Sequence, residues 1–140
     1  MRKANYDKFP STKLTGMLVQ GWDSIISMLK EKMDARKVLA VDLYTGVYEE
    51  EVLDAFSKEF SGRVMNVRDL MKPEKEIQAL TERFMTEDVL FGYVTNLKLE
   101  DYLDADKVAA ARKQISEAKE TIVIIGTGAA VVAPQDAMVV

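Results

Sequence analysis

The chain has 140 residues, 48% of them hydrophobic and 30% charged, with a formal net charge of -4, which suits one domain able to bury its own core. It has no cysteine and no histidine, which excludes disulfides, thiolate chemistry, the commonest general base and the commonest zinc ligand. Lysine and arginine are spread along the acidic chain, an argument against a nucleic-acid partner. With no long apolar run and no signal-peptide core in "MRKANYDKFPSTK", the expectation is a cytoplasmic chain without a membrane partner.

In chain order, "WDSIISMLKEKM" repeats Trp22, Ile25, Ile26, Leu29 and Met33 at helical spacing, with Asp23 near its start, and predicts an amphipathic helix. "KVLAVDL" is a short apolar run punctuated by Gly46, a strand. "YEEEVLDAFSKEF" sets Val52, Leu53, Phe56 and Phe60 on one helical face, with Gly62 as its expected end. "RVMNV" reads as a second strand, and Pro73 opens a helix carrying Ile77, Leu80 and Phe84.

Residues 86–103 mix their signals, and the choice between an irregular lid and short strand pieces stays open there. "DADKVAAARKQISEAKE" predicts a helix capped by Asp104, with Val108, Ala111 and Ile115 inward. "TIVIIG" is a strand apolar on both faces, "TGAAVVAPQD" a loop, and "AMVV" a last strand. Apolar strands alternating with helices predict a single three-layer α/β domain over 1–140, its sheet mostly parallel with helices on both faces.

In such a fold ligands bind where strands end and helices begin. The stretch 37–56, "KVLAVDLYTGVYEEEVLDAF", has the shape of a phosphate-binding strand–turn–helix. A phosphate loop needs several glycines, a lysine and a hydroxyl for magnesium. Here Asp42, Thr45 and Gly46 lead instead into Glu49, Glu50 and Glu51. Carboxylates suit a helix N-terminus, where they would repel a nucleotide's phosphates, so the loop reads as internally satisfied. A divalent metal held by Asp42 and a glutamate is the remaining functional version.

A second loop, "IIGTGAAVV", begins a dinucleotide fingerprint with Gly126 and Gly128, but Val131 stands in the third glycine's place. A tight turn is the favoured reading, with Thr127 and the amides of Gly128 and Ala129 able to line a small anion pocket. Glu100, Asp101, Tyr102, Asp104 and Asp106 cluster before a helix, where capping is their ordinary role. Arg63, Arg68 and Arg112 are candidates for clamping a phosphorylated ligand. Trp22 reads as core or interface rather than as a stacking platform.

The order of strand, would-be phosphate loop, helix, second strand ending in "VRDLMKP", lid and apolar strand "TIVIIG" resembles the uridine-kinase-like branch of P-loop kinases, without the defining lysine and hydroxyl. A closer likeness is to the N-terminal domain of type I mannose-6-phosphate isomerase-like proteins, in which a degenerate kinase-like module precedes cupin domains. It is carried by "NYDKFPSTKL" (5–14), "GWDSI" (21–25), "VDLYTGVYEEEVL" (41–53), "VLFGYVTNLKLEDYLD" (89–104) and "IIGTGAAVV" (124–132).

That family's isomerase chemistry resides in a cupin zinc site built with histidines, so the resemblance carries no catalytic or metal residue onto this chain. It implies an accessory role in carbohydrate metabolism, with zinc only in cupin domains of the same polypeptide, and a sugar phosphate as ligand. A divergent nucleotide- or phosphate-binding phosphotransferase is the alternative. "AMVV" reads as the opening of a buried strand, so the chain is expected to be an N-terminal fragment that self-associates weakly or packs its end against a neighbouring copy.

Overall fold

A computed structural model describes residues 9–13, 15–33 and 38–140. Asn5 to Lys8 and Leu14 of the first likeness segment, and Lys37 at the head of the first strand's run, lie outside the described residues. Helix α1, Trp22–Lys32, leads to strand β1, Val38–Asp42, and helix α2, Glu49–Glu59. Strand β2, Arg63–Asn66, runs into a 3-10 turn, Val67–Leu70, and then helix α3, Glu74–Glu82. A second 3-10 turn, Leu99–Tyr102, precedes helix α4, Ala105–Glu117, strand β3, Ile122–Gly126, a single-turn helix α5, Ala129–Val132, and strand β4, Ala137–Val139.

The four strands form one parallel sheet in the order β2-β3-β1-β4, and helices cover both faces, a three-layer α/β fold. Side chains alternate across a strand, and β3 uses both faces. Val123 and Ile125 join Leu39 and Val41 of β1 under Ile26 and Leu29 of α1 and Val52 and Phe56 of α2. Ile122 and Ile124 join Ala40 under Val108 and Ala111 of α4, Ala129 and Val132 of α5, and Val67 and Leu70. Every residue of β3 is buried, which is why its sequence is unbroken by polar positions.

Two expectations need correction, and one open choice closes. Gly62 does not end α2 in a left-handed turn: Phe60 leaves the helix in extended conformation. Gly62 is small because a Cβ there would lie 2.0 Å from the Thr121 carbonyl oxygen, which accepts the Arg63 N–H at 3.0 Å. Residues 85–98 carry neither helix nor strand, so the irregular lid is the form they take. The loop before β4 contains α5; four residues are too few for a helical period to be read. Beyond it, Asp136 fastens β4 to β1, its carboxylate accepting the Val38 N–H at 2.9 Å and its own N–H donating to the Val38 carbonyl at 2.9 Å.

The topology fixes where a crevice opens. From β1 the chain crosses over α2 to the β2 edge; from the neighbouring strand β3 it crosses over α5 on the other face to the β4 edge. The connections diverge between β1 and β3, so the switch point lies at their carboxyl ends, where Asp42 and Gly126 are register partners.

Candidate functional site

Asp42 is the last residue of β1 and half-buried. Its Oδ1 accepts the Gly128 N–H at 2.9 Å and its Oδ2 the Ala130 N–H at 3.1 Å. Gly128 has φ 83°, ψ 18°, a left-handed conformation that costs glycine little and turns successive N–H groups toward one point, a nest for an anion. The protein's own carboxylate fills that nest. The two strand ends are joined further by the Leu43 N–H to the Gly126 carbonyl at 3.3 Å and by the Thr127 hydroxyl donating to the Leu43 carbonyl at 2.9 Å.

The helix start after β1 is treated the same way. Glu49, the first residue of α2, accepts from Asn66 Nδ2 at 2.7 Å through Oε1 and from Arg68 Nη2 at 3.2 Å through Oε2. Glu51 accepts the Trp22 indole N–H at 3.0 Å, while Glu50 is exposed. Three consecutive glutamates, alike in sequence, thus face three surroundings.

Asp42, Gly126, Thr127 and Gly128 of the predicted loop residues come together at the switch point. Thr45 and Gly46 stand apart in an exposed turn, closed by the Val47 N–H to the Tyr44 carbonyl at 3.2 Å; Gly46 is needed there for φ 96°. No group of three or more Asp, Glu, His or Cys side chains among the described residues is arranged to hold a metal. Nor do the arginines form a clamp. Arg63 donates to Gln114 Oε1 at 3.1 Å, and Arg112 ties α4 to α5 through the carbonyls of Val132 and Val131 at 2.6 and 3.1 Å. Asp104 caps α4, accepting from the Asp106 and Lys107 N–H groups, and Asp101 Oδ2 accepts the Lys98 N–H at 2.8 Å. Trp22 packs edge-on against Phe56, ring centroids 6.5 Å apart.

Beside the Asp42 strap a cavity of about 370 Å³ opens at the carboxyl edge of the sheet, within the size range of small-molecule sites. Val67, Met71, Leu99 and Leu103 make its apolar wall, Gly126 and Thr127 its floor against β3, and Glu49, Arg68 and Tyr102 its polar groups. The apolar lining went unread in the sequence because such residues at element ends look like ordinary core. Among the described residues no buried side-chain nitrogen or oxygen lacks a partner. Arg68, with its side chain 63% exposed against 19% for Glu49, is the cavity's cation.

The site is therefore that of a parallel α/β domain whose switch-point N–H groups are met by a carboxylate of its own. Residues 21–140 match the family described as a domain of unknown function (DUF8485), and the chain belongs to that family. No curated protein and no solved structure matches it. Among the described residues no helix is long and apolar enough to cross a membrane.

Proposed function

We propose that this chain is a non-catalytic, kinase-like accessory domain of a mannose-6-phosphate isomerase-like protein, whose cavity at the sheet edge takes a small ligand for regulation. One observation carries the non-catalytic part: the two positions where a nucleotide's phosphates would meet N–H groups or cations are held by Asp42 and Glu49. A phosphate brought there meets like charge, and the donors nearest it are already engaged by Asp42 and Glu49. The family likeness of the motifs supports the parentage, and the absence of histidine and cysteine supports an accessory rather than an isomerase role. Isothermal titration with ATP and Mg²⁺ tests it. No saturable heat is expected; micromolar affinity for ATP overturns the reading.

The exposed Arg68 favours a second reading, a divergent phosphate-binding protein. An incoming anion that displaced Glu49 would inherit Arg68 and Asn66 as donors. Saturable ATP binding to the wild-type chain, tightened by Glu49→Gln and lost in Arg68→Ala, separates it from the first.

A further inference from the structure

The loop 85–98 between α3 and the Leu99–Tyr102 turn is held by polar contacts of its own. Asp88 Oδ1 accepts the N–H groups of Leu90 and Phe91 at 2.8 and 3.1 Å, and the Asp88 N–H donates to the Thr86 hydroxyl at 3.2 Å. That hydroxyl in turn donates to the Phe91 carbonyl. The Tyr93 N–H reaches the Phe84 carbonyl at 2.8 Å, an approach that needs Gly92, since a Cβ there would lie 2.5 Å from the same oxygen. The backbone is thus ordered without its apolar side chains, and those face water: Val89 is 101% exposed, Leu90 83%, Phe91 72%, Tyr93 70% and Val94 97%. An apolar surface of this kind, displayed by a defined loop, marks an interaction site.

Charge identifies the kind of partner. Residues 74–106 hold nine Asp and Glu against three Lys and Arg, a formal -6, while the whole chain is -4 and the remainder is therefore +2. An anionic membrane surface is repelled by such a frame, as is nucleic acid, and two copies meeting by this same face would set -6 against -6. We infer that residues 85–94 dock a protein segment with an apolar stripe rimmed by lysine or arginine, in the manner of a basic amphipathic helix. The apolar side chains supply affinity and the acidic frame supplies orientation and approach rate. This inference goes beyond the accessory-domain reading and holds whatever the cavity binds.

The test is fluorescence anisotropy with a labelled amphipathic peptide of leucine and lysine, beside a peptide of the same pattern with glutamate for lysine. The lysine peptide is expected to bind, more weakly as salt rises. The double variant Leu90→Ser, Phe91→Ser, whose side chains are exposed and whose turn N–H groups remain, should melt as the wild type does and bind about tenfold more weakly or worse. Glu117→Gln with Glu120→Gln, outside the acidic frame, should bind as the wild type does. Equal binding of the glutamate peptide, or undiminished binding by the serine variant, overturns the inference. So does loop-dependent sedimentation with phosphatidylglycerol vesicles, which would make the surface a membrane anchor, or a loop-dependent dimer in analytical ultracentrifugation.

Discussion

Asp42 and Gly128, 86 positions apart in the chain, are joined by a 2.9 Å hydrogen bond from the glycine N–H to the aspartate carboxylate. With the bond from Ala130, it straps β1 to the β3–α5 turn at the sheet's switch point. Hydrogen bonds to a charged acceptor contribute about 1.5–3 kcal/mol each, and partial exposure of Asp42 puts the pair at the lower end. Asp42→Ala, which leaves two N–H groups without an acceptor, should cost about 2–3 kcal/mol. Asp42→Asn, which retains one acceptor oxygen, should cost roughly half of that. Urea denaturation measures both, and a midpoint unmoved by Asp42→Ala would remove the strap from the account.

Two glycines with positive φ separate backbone strain from crowding. Gly46 has φ 96° and nothing within 4 Å of where a Cβ would stand, while Gly126 has φ 135° and a Cβ there would lie 2.8 Å from the Val67 Cβ. Gly46→Ala should therefore cost only the left-handed penalty, about 1–2 kcal/mol. Gly126→Ala adds overpacking against a buried valine and should lose about 3–4 kcal/mol. Equal melting temperatures for the two variants would contradict the close contact at Val67.

The three glutamates at the start of α2 should rank by their surroundings. Glu49→Gln removes the charge facing Arg68 and Asn66 and should cost about 1 kcal/mol, limited by the exposure of Arg68. Glu51→Gln keeps an acceptor for the Trp22 indole, and Glu50→Gln loses only a screened dipole interaction, so each should cost about 0.3 kcal/mol. Chemical denaturation at low and high salt reads the order, and a Glu50 effect as large as that of Glu49 would defeat it.

How much of this was legible depended on the range of each interaction. Ile122 to Ile125 announce a doubly covered strand because burial on both faces removes every polar residue from the run. Asp104 was legible as a cap because its partners, Asp106 and Lys107, are its neighbours in sequence. Asp42 and Gly128 were each legible as residues at a strand end, but their union depends on β1 lying beside β3, which hydrophobic periodicity does not specify. The different partners of Glu49, Glu50 and Glu51 were hidden for the same reason: Asn66 and Arg68 arrive from β2 and the turn after it. The cavity wall of Val67, Met71, Leu99 and Leu103 carries no signal apart from hydrophobicity, which marks core and pocket alike.

The isolated chain should hold no stoichiometric zinc and should not interconvert mannose and fructose 6-phosphates. Zinc sites are built chiefly from thiolate and imidazole ligands, and this chain has neither side chain. A site made only of carboxylates is a poorer and less selective competitor for that metal. Asp42 already has both oxygens engaged by N–H groups, and Glu49 has both engaged by Asn66 and Arg68, so recruiting either one means breaking bonds that hold the strand ends together. Proton transfer between neighbouring sugar carbons needs a base poised near neutral pH, and the side chain best suited to that is missing. Metal analysis of dialysed protein and a coupled isomerase assay check the two halves separately. One zinc per chain, or turnover that persists through further purification and falls with Asp42→Asn, would place isomerase chemistry on this domain and overturn the accessory reading.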